Sequence, residues 1–415
     1  MNVLLVGNYV NDGQESMRRF ADLLALQLPG HGISAECLCP LPVFGRLRPG
    51  SGGVGKWLGY LDKFVLFPRT LQKRVRQLAP DSLVHICDHS NAVYTRILAG
   101  VPHLVTCHDL LAVRSALGEF PGCRVRASGR FYQRWILRGL NRAGRVASVS
   151  AATNRDLLRL TRLAPRQISL VHNGLNHSYA PLPEMDAATR LRETALRLGN
   201  SVATKLHAGF ILHVGGNQWY KNRLGLIQIY AQLCKKMPDP PNLVFAGKPL
   251  TPQMRRSISS HLLGDRVIEL NDVPNEELRT LYCHAQLLIF PSLEEGFGWP
   301  IVEAQACGCR VVIADREPMT EIGGDAAVRF DLQGAPASED SLMSTDSADH
   351  AANAVMRTLS ETRQERMDRV KRGLRNAARF STSQMVENYI QLYRRILAIG
   401  AERQMLDQDH ALAPQ

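Results

Sequence analysis

Residues 286–314 read QLLIFPSLEEGFGWPIVEAQACGCRVVIA, and this stretch constrains the fold more than any other. Gln286–Phe290 and Arg310–Ala314 are short aliphatic runs, the pattern of buried parallel strands. Between them the sequence predicts a loop, Pro291–Trp299, and a helix opened by Pro300 at its first position. That helix runs Ile301–Ala306 and stops at Cys307-Gly308, which makes one strand–loop–helix–strand unit. Glu295 and Glu303 lie eight positions apart across it. Gly296 and Gly298 flank Phe297 just before the helix, where missing side chains let the backbone approach a ligand. The N–H groups of the helix start point the same way. One carboxylate on the loop, one on the helix and donors between them suit a polyhydroxylated ligand. The competing reading leaves Glu303 as a solvated helix residue.

At 415 residues the chain exceeds a single core, which predicts two domains. Strand patterns recur at 2–8, Leu83–Cys87, His103–Cys107, Val146–Ser150 and Ile168–Val171. They return at Phe210–Val214, Leu243–Ala246 and Val267–Leu270, with helices between most of them. This alternation predicts an α/β architecture of doubly wound parallel sheets, whose ligands bind beyond the carboxyl ends of the strands. The expected domains are 1–175 and 205–382. A polar linker and a helical segment, Ala187–Leu198, lie between them, and a last helix, Ser383–Ile399, returns to the first domain. Residues 333–349 read as a surface loop, 349–379 as helical and the last 15 as disordered.

No run approaches the roughly 20 apolar residues of a membrane span. The opening MNVLLVGN enters a strand without a signal-peptide pattern, so a cytoplasmic protein is expected. Nine cysteines are scattered, with C-x-C pairs at 37/39 and 307/309 and no matching histidines. That pattern argues against zinc and for reduced, mostly buried thiols. A net charge of +12 calls for an anionic partner: nucleic acid, an acidic membrane or a diphosphate. No nucleic-acid-binding motif is present, so nucleic acid is not expected.

Lys56–Leu78 mixes Trp57, Tyr60, Phe64 and Phe67 with lysine and arginine. Arg126, Arg130, Arg134, Arg138 and Arg142 recur every four residues beside Phe131, Trp135 and Leu140. Such basic N-terminal helices suit a peripheral contact with an acidic leaflet; the alternative is a solvated face over an aromatic core.

Gly13 and Gln14 lie in a strand–turn–helix opening that lacks G-x-G-x-x-G, which disfavours a dinucleotide. Gly50, Gly55 and Lys56 match most of a P-loop, but Trp57 stands where Ser or Thr would hold magnesium, so a mobile surface loop is expected. Asp88-His89-Ser90 and His108-Asp109 follow the third and fourth strands. Asp109 either orients His108 or caps the next segment, and Ser150 and Thr153 are alternative N-caps. Lys221 follows the Gly215-Gly216 turn at the start of a helix, Asn222–Cys234. Its ammonium and the positive helix end favour a diphosphate, and Lys248 adds charge after the next strand.

Glu295-Gly296-Phe297-Gly298-Trp299-Pro300, with Glu303-Ala304 after a strand ending Phe-Pro-Ser, resembles the E-x7-E signature of retaining glycosyltransferases of family 4, which have the GT-B fold. His108-Asp109 in VTCHDL resembles that family's TxHD pattern. Lys221-Asn222 resembles its R/K-K-N element, with Tyr220 where arginine is common; Arg223 is open as a substitute. Asp272–Leu278, His172-Asn173-Gly174, Glu317–Ile322 and the Gly323–Ala327 turn also resemble family segments, and the likeness is clearest over Val101–Phe330.

The resemblance implies two Rossmann-like domains facing each other across a cleft. It implies transfer of a hexose from a UDP- or GDP-sugar to a hydroxyl of a glycan or lipid-linked acceptor. The linkage would be α, with configuration retained, in cell-surface polysaccharide or glycolipid synthesis at the inner membrane face. His108, Lys221 and Glu295 would carry the chemistry. Gly13, Gln14, Gly215, Gly216, Asn222, Lys248, Val273, Gly296, Phe297, Gly298 and Glu303 would hold the donor, Glu303 at the ribose and Val273 at the base. No DxD motif is present, so no metal and no cofactor beyond the nucleotide sugar are expected. The rivals are a GT-B epimerase or phosphorylase, an NTPase using Lys56, and a non-catalytic scaffold for acidic partners.

Overall fold

A computed structural model of the chain describes residues 1–47, 53–183, 186, 189–193, 200–332 and 343–412. The chain divides into two compact units. The first holds Met1–Leu117, Val125–Asn176 and Thr382–Gln415; the second holds Gly118–Arg124 and His177–Ser381. Residues just after 176 side with the second unit because their partners lie there. The Tyr179 ring meets the Tyr282 edge at 5.9 Å, and Arg279 Nε donates to the Ala180 carbonyl at 2.9 Å.

The first unit is built on six parallel strands: β1 (Asn2–Val6), β2 (Ser34–Leu38), β3 (Ser82–Ile86), β4 (His103–Cys107), β5 (Arg145–Ser148) and β6 (Ile168–Leu170). Their order is β2-β1-β3-β4-β5-β6. Alternation along each strand splits the core in two. Leu4, Val6, Val84, Ile86, Val105 and Val146 pack with Phe67, Leu71, Ile136 and Leu140 on one face. Val3, Leu5, Leu83, Leu104 and Ala147 pack on the other, with Phe20 and Leu24 and with Met385, Val386, Tyr389, Ile390 and Tyr393. The last five come from the final helix, Thr382–Leu412.

A buried polar chain pins the same helix. The two ring nitrogens of His85 meet Tyr393 Oη and Thr106 Oγ1, each at 2.7 Å, and Tyr389 Oη lies 3.0 Å from Thr106 Oγ1. Burial pushes His85 down to about 3, with the neighbouring His108 a smaller cause, so the ring is neutral.

The second unit has strands β7 (Phe210–Gly215), β8 (Asn242–Gly247), β9 (Val267–Asn271), β10 (Leu287–Phe290), β11 (Val311–Ala314) and β12 (Val328–Phe330). All are parallel, in the order β12-β11-β10-β7-β8-β9. β7 and β10 lie at its centre, so the turns that follow them emerge side by side.

Several expectations shift. β2 and β12 are additional strands on sheet edges, half exposed, with no apolar run to announce them. The last residues are not disordered up to 412: the final helix continues to Leu412. Residues 345–349 are helical rather than loop, because Ser344 caps a helix, Thr345–Leu359, by accepting from Ser347 N at 3.2 Å. A second helix, Arg363–Ala378, starts at a Thr362–Glu365 capping box. Of the helix expected over Ala187–Leu198, 189–193 are helical, and 187–188 and 194–198 lie outside the described residues. Residues 333–342 and the glycine-rich 48–52 lie outside them too. Of the nine thiols four are buried, four half-buried and Cys37 exposed, so fewer are buried than expected.

Candidate active site

The carboxyl ends of β7 and β10 bring together two residues 74 positions apart. Lys221 Nζ lies 2.6 Å from Glu295 Oε1, with 15% and 8% of the side chains exposed. The geometry is local in origin. Trp219–Lys221 is a single 3₁₀ turn, and Asn222 ends it in the left-handed region at φ 52°, opening the helix Arg223–Lys236. Asn222 Nδ2 then donates to the Pro291 carbonyl at 3.1 Å, and Leu293 N donates to the Tyr220 carbonyl at 2.7 Å. The two turns are thus stitched together. The Lys221 ammonium stands 5.1 Å above the Phe290 ring.

Glycine is required where backbones crowd. A Cβ on Gly247 would lie 2.2 Å from the Gly215 carbonyl oxygen, and one on Gly215 would lie 3.3 Å from His213 Nε2. Gly216 follows, folded against Gln218. Gly298, at φ 101°, N-caps the helix Trp299–Ala306, so Gly296 and Gly298 border the helix start as the spacing predicts. Glu303 on that helix is only 6% exposed and accepts from Tyr282 Oη at 2.8 Å. It is therefore not a solvated residue. The Phe297 ring is 4% exposed and packs edge-on against Trp299 and Phe380, so what it can offer a ligand is its backbone. Lys248 and Val273 follow β8 and β9. The Lys248 side chain is 63% exposed, 3.9 Å from Asp272 Oδ1, and Val273 is half-buried.

Arg223 is 2% exposed. Its guanidinium bonds Asn217 Oδ1 and the Lys248 carbonyl and lies 4.9 Å over the Phe245 ring; burial pulls it down to about 10. It binds the loops after β7 and β8 to each other. Two further buried groups escaped the sequence reading. His213 donates from Nδ1 to the Ile289 carbonyl at 3.2 Å, which leaves Nε2 a buried acceptor without a protein partner among the described residues. Burial, then the Arg223 charge, pushes its pKa down to about 3. Ser292 Oγ is likewise buried without a partner. A histidine inside the apolar strand FILHV was the available sign for the first.

In the first unit the ends of β1 and β3 carry a polar web. Asn8 Nδ2 donates to Asp88 Oδ2 at 2.5 Å and to Gln14 Oε1, and Asn91 Nδ2 donates to Asn8 Oδ1 at 2.8 Å. Asp88 also accepts from Ser90 N and Oγ, at 2.9 and 2.8 Å, and pairs with His89 at 3.1 Å. Burial pushes the Asp88 carboxyl up, but the His89 bond and charge overcome it and hold it well below the usual range. His89 is raised in turn against its own burial. Gln14 opens the helix Glu15–Gln27, and Gly13 before it has φ 65° and open space around its Cα.

His108 is 4% exposed, with the Phe20 ring edge-on at 4.9 Å. Its Nε2 lies 3.0 Å from the Cys87 carbonyl, an acceptor only, so Nε2 carries the proton. Burial lowers its pKa, so the ring is neutral and Nδ1 is an acceptor. Asp109 is the cap, accepting from Leu111 N at 2.9 Å, and Ser150 rather than Thr153 caps its helix. Asp62 accepts from Val43 N, Phe44 N, Gly45 N and Tyr9 Oη, and Lys63 Nζ lies 2.6 Å from Asp12. These neighbours sit in one π-helical turn, Asp62–Leu66, and together fasten the turn before Gly13.

The arginine stripe is exposed as expected and Phe131 is 64% exposed. Leu140, however, is fully buried, and Trp135 packs on Phe64 at 5.0 Å, so most of the apolar side belongs to the core. Lys56 stands exposed on a helix, Gly53–Leu61.

Two family profiles match the chain in succession: Glycosyltransferase Family 4 over residues 17–179 and Glycosyl transferases group 1 over residues 200–376. The chain belongs to the family 4, group 1 type of glycosyltransferases. This glycosyltransferase is 25% identical to O-antigen chain mannosyltransferase B of Escherichia coli over 258 residues, 59% of this chain and 62% of that one. The match thus spans less than two thirds of that relative. It is 26% identical to α-maltose-1-phosphate synthase of Mycolicibacterium smegmatis over 331 residues, 75% of this chain and 79% of that one. The crystal structure of Anabaena HepE in complex with UDP matches with a TM-score of 0.66 at 15% identity, covering 95% of this chain and all of that one. The two parallel six-stranded sheets are those of the GT-B fold. Among the described residues no helix is long and apolar enough to cross a membrane.

Proposed function

We propose that the enzyme moves a hexose from a nucleoside diphosphate sugar to an acceptor hydroxyl, with retention of configuration. The observation that carries this reading is the Lys221–Glu295 pair at 2.6 Å, set between two helix starts, with Glu303 held by Tyr282 on the adjoining helix. As the glycosidic bond stretches, charge grows on the leaving diphosphate. Lys221 and the helix N–H groups are positioned to stabilise it. Glu295 orients the sugar, and Glu303 accepts from the ribose hydroxyls. A neutral His108 accepts a hydrogen bond from a sugar hydroxyl through Nδ1. Complexes of HepE with UDP are consistent with a uridine nucleotide donor.

Metal independence is part of the proposal, since the ammonium supplies the compensating charge. The acceptor is a glycan or lipid-linked alcohol. Peripheral membrane contact is supported by Val54, Trp57, Leu61 and Val65, 42–64% exposed at helical spacing and near the arginine stripe.

A thermal-shift panel of UDP-, GDP- and ADP-sugars, each with and without EDTA, tests the reading. One donor should raise Tm by several degrees regardless of chelator. No shift with any sugar nucleotide would overturn it, and a shift abolished by EDTA would remove the metal-free part.

A further inference from the structure

Cys37 and Cys39 sit two positions apart at the carboxyl end of β2, and their sulfur atoms are 3.8 Å from each other. Alternation along a strand turns such residues to the same side, so the closeness follows from the spacing. β2 is an edge strand that pairs only with β1 and ends at Leu38, so Cys39 is the first residue beyond the ladder. Both sulfurs rest against the main chain just after β1. A Cβ on Gly7 would lie 2.6 Å from Cys39 Sγ and 3.5 Å from Cys37 Sγ, and Gly7 N donates to the Leu38 carbonyl at 3.1 Å. Packing thus holds the two sulfurs side by side before any reaction, which lowers the entropic cost of joining them. The pair can also be reached from solvent. Cys37 is exposed and Cys39 half-buried, whereas Cys87, Cys107, Cys307 and Cys309 are buried.

The two thiols are not equivalent. A hydrogen bond from Cys37 lowers the Cys39 thiol below its ordinary value; the Gly7 N–H and the Arg18 charge act the same way, against burial and Asp22. The same bond, then burial, raises Cys37. The thiolate is the attacking form, so Cys39 is the nucleophile and Cys37 keeps its proton beside it. Two residues of strand at about 3.3 Å each put the Cα atoms about 6.6 Å apart, near the top of the roughly 4.4–6.8 Å that a disulfide spans. A bridge is within reach at the end of an edge strand, and one so near the limit is readily reduced again.

We propose that Cys37 and Cys39 form a site of reversible oxidation by hydroperoxides, one that uses none of the residues assigned to sugar transfer. The Cys39 sulfur attacks a peroxide oxygen, the O–O bond breaks, and the departing oxygen takes a proton and leaves as water. The Cys37 sulfur then attacks the sulfenic acid on Cys39. The S–S bond forms, the S–O bond breaks, and the Cys37 proton leaves with that oxygen as a second water. Two thiols and one hydrogen peroxide thus give one disulfide and two waters, and a small thiol reverses the bridge by exchange.

Trypsin releases Phe20–Arg46, a peptide that holds both cysteines and no others. The full chain is treated with hydrogen peroxide, alkylated with iodoacetamide under denaturing conditions, digested and weighed by mass spectrometry. This peptide should be two hydrogens lighter and unalkylated, and dithiothreitol before alkylation should restore both alkylated cysteines. Bridging should outpace oxidation of the half-buried Cys123 and Cys234 by about tenfold or more, because the partner sulfur is already in place. In Cys37→Ser the reaction should stop at the sulfenic acid, and Cys39 should carry a dimedone adduct. In Cys39→Ser the adduct on Cys37 should be about tenfold weaker. Two alkylated cysteines after peroxide, or bridging no faster than oxidation of Cys123, would overturn the proposal. An adduct on Cys37 of Cys39→Ser with none on Cys39 of Cys37→Ser would overturn the choice of nucleophile.

Discussion

Two strand ends, that of β1 and β3 and that of β7 and β10, hold their polar residues differently. At the end of β1 and β3, Asn8, Asp88, Ser90, His89 and Asn91 bond one another, and the turn to Gln14 is tied into the same web. At the end of β7 and β10 an ion pair joins Lys221 to Glu295, while His213 Nε2 and Ser292 Oγ are buried without hydrogen-bond partners among the described residues. Buried polar groups cost free energy when unmatched, and in the first arrangement most of them bond one another. The second leaves polar groups open to a ligand: on the proposed mechanism a donor phosphate would compete for Lys221 and release Glu295 to a sugar hydroxyl. At β1 and β3 the web holds a shape; at β7 and β10 the proposed mechanism puts the groups to use.

The sharpest break in this contrast is Lys221→Ala. Turnover with the donor found by thermal shift should fall on the order of 10²–10³-fold, as for loss of a transition-state donor, while Tm moves little. A normal rate would return Lys221 to a structural role. Asp88→Ala should do the converse. It strands His89 and Asn8, both buried, and should cost about 3 kcal/mol in urea denaturation. A loss under about 0.5 kcal/mol would show that the web is not a scaffold.

Acid should unfold the enzyme through histidines that are neutral in both units. His85 and His213 are held near 3, below the ordinary 6.5 of an unfolded chain. Unfolding therefore takes up protons below pH 6.5, and stability present above that pH is lost as pH falls towards 3. At pH 5 each should cost about 2 kcal/mol. His213→Gln should flatten that limb in a pH series of melts; an unchanged slope would contradict the burial argument. The mildest test is Glu303→Gln, expected to raise the donor KM about tenfold with kcat nearly kept, and Tyr282→Phe about threefold in the same direction. An unaltered KM in Glu303→Gln would take that carboxylate out of the nucleotide site.

Legibility in the sequence followed the range of the interactions. The unit around Glu295 and Glu303 could be read because its strands are continuous apolar runs and its helix start is marked by Gly298 and Pro300. β2 and β12 could not, because an edge strand with one partner needs no apolar run. The packing of the Phe297 ring on Phe380, 83 positions away, could not be read from its neighbours in sequence. The hold of Tyr282 on Glu303, of Asp62 on the 43–45 backbone and of Met385 to Ile396 on β1 are all long-range, and nothing local encodes them. The break at Thr362 was available in the letters: T-R-Q-E is a capping box read past inside a helical pattern.

The final helix has a consequence for how the protein is made. One face of the first sheet, including Val3, Leu5 and Leu83, is covered by residues 385–396. A ribosome adding about 5–20 residues per second needs on the order of 10–40 s to travel from the last strand of that sheet to its cover. Throughout that interval the nascent chain displays an oily surface while the entire second unit is being spun out and folded. The earliest part of the polypeptide to emerge is thus among the last to be sealed, and any truncation ahead of Tyr393 would leave it a client for chaperones and proteases.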